Sequence, residues 1–196
     1  MILKIKSLII KILLIIRGAK IGRNFLCKEL PTIESSNFFI NLDIKDNVII
    51  KKKVELFFRK YGEIKIHDNV KIDSGVRLLV SNNSKLVLQD FTKLGKNTII
   101  NAGANIVLGK KCLVSANCII QSSSHIFNKR EFIQDLGHTN ASIIIDDDVW
   151  IGANSIILKG INLKKGTIIG ALSKINFDTN AYTIYSGNPA VEIKKR

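Results

Sequence analysis

The sequence is poor in several residue types that mark particular classes of protein. Among its 196 residues are only 2 Pro and 3 Cys. The cysteines, Cys27, Cys112 and Cys118, form no CxxC pair and lack the spacing of a disulfide framework, which favours a reducing compartment. We therefore expect a cytoplasmic protein, and the modest length predicts one domain rather than two.

Acidic residues are also scarce relative to basic ones. The chain has 30 Lys and Arg against 16 Asp and Glu, a formal net charge of +14. Such an excess attracts anions, whether phosphorylated cofactors, nucleic acid or an acidic membrane surface. Aromatic residues, only 7% of the chain, do not alternate with the lysines as they do in proteins that bind single strands. We therefore expect no nucleic-acid partner.

No apolar run is long enough to predict a membrane span. The most apolar stretch, residues 1–17, is interrupted by Lys4, Lys6 and Lys11, and no small-residue cleavage site follows it. At 100° per residue Lys4, Ser7 and Lys11 fall on one face, which predicts a basic amphipathic helix within residues 1–20. Two interpretations follow. The apolar face of the helix covers the open end of the domain, or the helix lies in the plane of an anionic membrane, on its cytoplasmic side.

What the chain has in excess is isoleucine, 35 residues, a β-branched composition that favours strands over helices. Aliphatic residues recur at intervals of six. They are Ile44, Ile50, Leu56; Ile66, Ile72, Leu78; Leu88, Leu94, Ile100, Ile106; Leu108, Val114, Ile120, Ile126; and Ile145, Ile151, Ile157, Leu163, Ile169. Neither a helix nor an ordinary strand ladder has that period.

A small or β-branched residue stands four positions after many of these aliphatic residues, and Cys112 and Cys118 occupy two such positions. A period of six with two inward positions describes a short strand and a turn per hexapeptide, so three hexapeptides close one triangular coil. The spacing therefore predicts a parallel β-helix, which we assign to residues 21–190. In it the two cysteines are buried hydrophobes rather than nucleophiles.

The repeat is interrupted once. After Ile126 no aliphatic residue keeps the spacing until Ile145. A polar insertion supplies no regular inward positions, so it must project from the solenoid as a loop, which we place near residues 127–144. Projecting loops of repeat proteins usually carry function, so we expect a functional site at this loop.

A string of motifs fills residues 122–196: SSSHIF, DVWIG, GALS and SGNPAVEIKKR, in that order. Together with the repeats it resembles the acyl-coenzyme-A-dependent O-acetyltransferases of the hexapeptide-repeat family. That group contains maltose, galactoside and nodulation-factor acetyltransferases and many polysaccharide-modifying enzymes. The resemblance implies an all-β, left-handed parallel β-helix, acetyl-coenzyme A as co-substrate without a metal, and a homotrimer with each active site between two subunits.

The resemblance also implies roles for individual residues. His125 stands at the position of the family's catalytic histidine, and a histidine suits the base that takes the hydroxyl proton as oxygen attacks the thioester. Asn101 matches an acceptor-binding asparagine, whose amide both donates and accepts hydrogen bonds. His138, on the loop, is a second acceptor candidate. The acidic residue often found after that asparagine is absent, so what orients His125 stays open.

For the cofactor, the resemblance implies a groove along the last coils, where small side chains let the pantetheine arm approach the backbone. Trp150 is a candidate to cover the arm near the thioester. The sequence departs from the family at the phosphate end, where Phe177 offers an aromatic ring and Lys174 and Lys194 offer charge. The cofactor candidates are Trp150, Gly152, Ala153, Gly170, Ala171, Ser173, Lys174, Phe177 and Lys194.

The repeat also occurs in proteins of other function. A γ-type carbonic anhydrase uses the same repeat with three metal-binding histidines, but His67, His125 and His138 are 58 and 13 residues apart, which does not give the required close pair. A noncatalytic basic solenoid and an antibiotic acetyltransferase remain alternatives. Residues 1–40 have neither the long helical domain of serine acetyltransferases nor the βαβ domain of related sugar-nucleotide N-acetyltransferases.

We therefore predict an acetyl-coenzyme-A-dependent O-acetyltransferase. The expected acceptor is a saccharide hydroxyl of a surface-polysaccharide, lipopolysaccharide or glycolipid precursor, with His125 as the general base. Residues 191–196 are expected to form a basic C-terminal tail.

Overall fold

The computed structural model describes residues 2–196. One helix, α1 (Ile2–Ile16), precedes a series of short strands, which a 3-10 helix (Ile133–Asp135) interrupts. In chain order the strands are β1 (Lys20–Ile21), β2 (Leu26–Cys27), β3 (Thr32–Ser35), β4 (Asn41–Ile44), β5 (Ile49–Ile50), β6 (Glu55–Phe58), β7 (Glu63–Ile66), β8 (Lys71–Ile72), β9 (Arg77–Val80), β10 (Lys85–Leu88), β11 (Lys93–Leu94), β12 (Ile99–Ala102), β13 (Ile106–Leu108), β14 (Leu113–Val114), β15 (Ile119–Gln121), β16 (Ser123–His125), β17 (His138–Asn140), β18 (Ile143–Ile145), β19 (Trp150–Ile151), β20 (Ile156–Ile157), β21 (Asn162–Leu163), β22 (Ile168–Ile169), β23 (Lys174–Ile175), β24 (Thr183–Gly187) and β25 (Ala190–Lys195).

The strands form the three faces of a prism. The first sheet has the order β1-β4-β7-β10-β13-β18-β21, the second runs from β2 through β5, β8, β11, β14, β19 and β22 to β24 and β25, and the third is β3-β6-β9-β12-β15-β20-β23. Each sheet takes one strand from every coil, and pairing between coils is parallel. The fold is the predicted left-handed parallel β-helix, with about seven coils.

The six-residue series lies in the core. Ile50, Leu56, Ile66 and Leu78, for example, are each inaccessible to solvent. Cys112 and Cys118 are buried at the small inward positions, which confirms their prediction as core residues. Burial raises the pKa of the Cys112 thiol to about 11.

The series ends earlier than predicted. Ile126 is only half-buried and lies outside the core, because the chain leaves its coil after Ser122. The coils also differ in length: 22 residues separate the stacked partners Ile44 and Ile66, whereas 18 separate Ile145 and Leu163. The additional residues lie in turns 59–62 and 81–84, at one corner of the prism. These longer turns widen the prism at that corner, on the coils that precede the insertion.

Helix α1 covers the first coil, but with a different face from the one predicted. Ser7, Ile10 and Leu14 are its buried residues. The Ser7 hydroxyl accepts a hydrogen bond from the Cys27 amide at 2.9 Å and donates one to the Cys27 carbonyl at 3.1 Å. The Ser7 face is inward because it satisfies peptide groups at the open edge of the solenoid. Within residues 2–196 no helix combines the length and apolarity needed to cross a bilayer.

The insertion and the C-terminus both form strands. In the insertion, β16 and β17 pair antiparallel and project from the third corner of the fifth coil; we call residues 123–142 the arm. Residues 191–196 are not the free tail that we predicted, because β25 folds back antiparallel on β24 and covers an edge of the second sheet. The Arg196 guanidinium then lies 2.8 Å from a carboxylate oxygen of Asp148.

Candidate functional site

The base of the arm is fixed to the solenoid by a buried serine. The Ser122 hydroxyl accepts a hydrogen bond from the Ala104 amide and lies 2.9 Å from the Ala104 carbonyl, on the preceding coil. Gly103 allows the arm to approach closely, because a Cβ there would lie 2.6 Å from Asn140 Oδ1 and 2.8 Å from Ser123 Cβ. The two arm strands therefore leave the solenoid in a defined direction.

His125 and His138 face each other across the arm. They are register partners of β16 and β17, their ring centroids are 4.0 Å apart, and the rings are tilted by 40°. Both side chains are exposed. The His138 ring therefore lies against the His125 ring, a contact that the sequence did not predict.

A surface cavity of about 340 Å³ lies on one side of the arm, where Asn101 and His138 meet. Asn101 points outward from β12 because its neighbours Ile100 and Ala102 are buried. The cavity is lined by Arg59, Lys60, Leu79, Ser81, Asn82, Asn101, Gly103, Ser123, His138 and Asn140. Amides, hydroxyls and two cations dominate this lining, a composition that can hydrogen-bond a polyhydroxylated ligand.

A second cavity, of about 470 Å³, lies beside His125. Phe127, Leu158 and Lys159 also line it, and the Lys159 ammonium donates a hydrogen bond to the Thr139 hydroxyl at 2.7 Å. The contacting histidines thus stand between two cavities, one holding the acceptor candidate Asn101 and the other opening toward the last coils. His125 and Asn101 do not line the same cavity.

Four of the cofactor candidates stack at the corner between the second and third sheets. A Cβ on Gly152 would lie 2.5 Å from the Ala171 amide nitrogen, and a Cβ on Gly170 would lie 2.5 Å from the Ser186 hydroxyl. Close approach of adjacent coils therefore already requires both glycines. Ala153 is half-buried and Ala171 is exposed.

The remaining cofactor candidates are spread over different surfaces. The Trp150 indole is 46% exposed on the second sheet and donates a hydrogen bond to the Ser115 hydroxyl at 3.1 Å. Lys194 lies exposed on the same sheet, whereas Lys174 is half-buried on the third. Phe177 is half-buried, with its ring 5.6 Å from that of Tyr185 in an edge-to-face arrangement. The other candidate, Ser173, is buried and accepts a hydrogen bond from the Gly187 amide at 3.0 Å.

The third histidine lies apart from the pair. His67 Nδ1 is 3.8 Å from an Asp90 carboxylate oxygen, on coils nearer the N-terminus. In the part of the chain that the structure describes, no group of three or more His, Cys, Asp or Glu side chains is arranged to hold a metal ion.

No family model matches the chain. Individual relatives do. Over 53 residues it is 43% identical to the chloramphenicol acetyltransferase of Klebsiella aerogenes, a match that covers 27% of this chain and 25% of the relative. Over 133 residues it is 27% identical to the colanic acid biosynthesis protein WcaF of Escherichia coli, assigned as an acetyltransferase, covering 67% of this chain and 69% of WcaF.

Solved structures share the fold over nearly the whole chain. AntD, an N-acyltransferase from Bacillus cereus in complex with dTDP and 3-hydroxybutyryl-CoA, superposes with a TM-score of 0.66 at 20% identity, covering 95% of this chain and 87% of AntD. The polysialic acid O-acetyltransferase OatWY superposes with a TM-score of 0.63 at 19% identity, covering 90% and 88%. These matches support the resemblance of the chain to the hexapeptide-repeat acyltransferases. It spans about a quarter of the length of the chloramphenicol acetyltransferases that it matches.

The sequence did not predict three of the residues at the first cavity, Arg59, Lys60 and Asn82. They lie in turns two and three coils before the arm, far from His138 in the chain, and only the stacking of coils brings them to one cavity. A signal was present in the segments RKYG, SNNS and NAGAN, which recur at the end of successive third-sheet strands.

Proposed function

We propose that the protein transfers an acyl group from acyl-coenzyme A, acetyl-coenzyme A in the first instance, to a saccharide hydroxyl. The observation that carries the proposal is the contacting pair His125 and His138 at the root of the arm, between two cavities. The acetyltransferase relatives and the structural neighbour that binds an acyl-coenzyme A support acyl transfer from such a donor. The acceptor we propose is a precursor of a surface polysaccharide, lipopolysaccharide or glycolipid.

In this proposal His125 is the general base. Its ring takes the hydroxyl proton as the acceptor oxygen attacks the thioester carbonyl, the carbon–sulfur bond breaks, and the protonated ring can return the proton to the departing sulfur. His138 restricts the His125 ring by contact. It also lines the cavity that contains Asn101, which we call the acceptor cavity. Asn101 hydrogen-bonds the acceptor from the neighbouring coil, so that the hydroxyl reaches the histidine pair.

The proposed cofactor surface is the region of the last coils. Ala171 and the Trp150 indole are accessible there to a thioester and its pantetheine arm. Lys174 and Lys194 extend from the two adjoining sheets, and neither forms an ion pair within residues 2–196, so both charges are available to phosphates. The donor set fits a phosphorylated cofactor.

The acceptor cavity favours an acidic saccharide. Lys60 takes part in no ion pair within the described residues, and Arg59 shares its charge only with the exposed Glu34 at 3.2 Å. No carboxylate lines the cavity. An anionic group on the acceptor would therefore be attracted to these cations, whereas a cationic one would be repelled.

The proposal is tested by incubating the purified protein with radiolabelled acetyl-coenzyme A and a panel of acceptors. The panel contains acidic and neutral oligosaccharides, an amino sugar and chloramphenicol. Label should pass to an acidic saccharide and be released by mild alkali, because esters hydrolyse where amides persist. Alkali-stable label on the amino sugar would show N-acylation instead.

A second candidate is acetylation of an antibiotic, favoured by the 43% identity to chloramphenicol acetyltransferase. Label on chloramphenicol with none on saccharides would establish that activity in place of the proposed one. Binding of neither coenzyme A nor any acceptor would favour a noncatalytic solenoid.

A further inference from the structure

Helix α1 packs on the solenoid with one side only, and its opposite side is exposed. The inner face, Ser7, Ile10 and Leu14, lies on the first coil. At 100° per residue the opposite side carries an uninterrupted aliphatic arc of about 160°. This outer face of α1 consists of Ile2, Ile5, Leu8, Ile9, Ile12, Leu13, Ile15 and Ile16, all exposed.

Basic residues border the outer face on both sides. On the same projection Lys4 and Lys11 lie along one edge, and Lys6 and Arg17 along the other. None of the four forms an ion pair within residues 2–196, and α1 contains no acidic residue. The Lys11 ammonium donates a hydrogen bond to the Gly22 carbonyl, so this side chain is held against the first coil. An aliphatic arc between two rows of cations is the arrangement of a helix lying in a membrane surface, where long basic side chains reach the headgroups.

The apolar surface continues beyond the helix. Phe38 and Phe39, in the loop between β3 and β4, are 60% and 70% exposed. The Arg17 guanidinium lies 5.2 Å from the centre of the Phe38 ring and donates a hydrogen bond to the Phe38 carbonyl, so this loop is held against the end of α1. Aromatic side chains beside a basic aliphatic face are suited to the boundary between headgroups and acyl chains.

We propose that the outer face of α1 inserts into an anionic membrane surface while the inner face caps the solenoid. The capping and membrane roles are thus performed by opposite faces of one helix. Charge selects the membrane over a second copy of the chain as the occupant. Two copies mated through this face would bring eight bordering cations together with no carboxylate from either helix, whereas anionic lipids neutralise them.

The proposal places the acyl-transfer site above the membrane. Helix α1 lies on the first coil and the arm leaves the fifth, and four strand spacings, about 19 Å, separate these two coils. A saccharide on a lipid carrier could extend over that distance into the acceptor cavity. This consequence rests on the proposed function, whereas membrane binding itself does not. A reducing compartment and an anionic leaflet together indicate the cytoplasmic face of a membrane.

The test is sedimentation of the full chain with vesicles of phosphatidylcholine alone or mixed with phosphatidylglycerol. Binding should need the anionic lipid. Lys4→Gln/Lys6→Gln should weaken it about 30-fold, since each basic residue near an anionic surface contributes about fivefold. Ile5→Gln/Ile9→Gln should weaken it at least about tenfold by removing inserted aliphatic surface.

The matched control is Val191→Gln/Ile193→Gln, at the other end of the molecule. Ile5 and Ile9 are each 54% exposed, and Val191 and Ile193 are 58% and 55% exposed, so the control replaces a similar apolar surface, smaller by one methylene group. The control should bind vesicles like the unaltered chain, and circular dichroism should show all variants folded.

Three outcomes would overturn the proposal: no sedimentation of the full chain with anionic vesicles, unchanged binding of Ile5→Gln/Ile9→Gln, or an equal loss in the control. Lipid-independent self-association that this α1 variant abolishes would instead identify a second copy as the occupant. Vesicle binding without acyl transfer would leave this inference intact and contradict only the proposed function.

Discussion

At the scale of single residues, the proposed function assigns separable roles to the two histidines of the arm. We predict that His125→Ala lowers kcat about 10²–10⁴-fold, because a general base contributes that much, while coenzyme A binding and the melting temperature stay nearly unchanged. His138→Ala should mainly raise KM for the acceptor, since His138 lines the acceptor cavity. Steady-state kinetics on both variants checks this. An active His125 variant beside an inactive His138 variant would reverse the assignment.

Burial of the cysteine thiols makes the free energy of unfolding depend on pH. Burial raises the pKa of Cys27 and of Cys112 to about 11 from an ordinary 9.0. The unfolded thiols ionise first as pH rises, so their contribution to stability is complete below about pH 9 and is lost between about pH 9 and 11. Urea unfolding across this range should show the decline, and Cys112→Ala should make it smaller.

A second measurement addresses the reactivity of the cysteines. Because the thiolate is the nucleophile, buried protonated thiols should resist a disulfide reagent at pH 8 in the native protein and react once it is unfolded. Rapid labelling of Cys112 or Cys118 in the folded chain would contradict their placement in the core.

At the scale of elements, the attachment of α1 depends on a polar group. Ser7→Ala removes the hydroxyl that hydrogen-bonds the Cys27 amide and carbonyl, and both groups then stay buried without that partner. The free energy of unfolding should fall by about 1–3 kcal/mol. Denaturant unfolding measures this cost, with Ile9→Ala on the exposed outer face as the control. Equal stability of the two variants would show that the inner face does not hold the helix.

The stacked corner of the last coils gives a second prediction at this scale. A Cβ at Gly152 would meet backbone of the next coil at 2.5 Å, so Gly152→Ala should destabilise the protein by about 1–3 kcal/mol. Exposed Ala171→Ser, one coil further, should leave the melting temperature unchanged. If Gly152→Ala raised only KM for acetyl-coenzyme A, the glycine would serve the cofactor rather than the stacking of coils.

At the scale of the whole molecule, the prism has flat faces with exposed apolar residues such as Leu113 and Ile144. We predict a homotrimer in which three prisms pack side by side and a neighbour completes each site beside the arm. Multi-angle light scattering at micromolar concentration should give three times the 21.9 kDa chain mass. A fully active monomer would contradict this prediction.

The sequence by itself determined the solenoid and the location of the arm along the chain. Inward residues such as Ile50 and Leu56 follow one another within a single coil, so their spacing is a local property that can be read without knowing which strands stack. The interruption of the six-residue repeat after residue 126 likewise predicted the arm. Residues that supply no inward side chains cannot form part of a coil and must project from it.

Tertiary structure decided what depends on contacts between coils. The sequence favoured an outward Ser7, but peptide groups at the open edge of the first coil draw it inward. His125 and His138 come together only because the arm strands pair in one register, and Lys60 joins Asn101 only because turns of different coils stack. The sequence separations of these residues follow no period, so they do not predict the contacts. The contacts form because strand edges must be paired and corners must be closely packed.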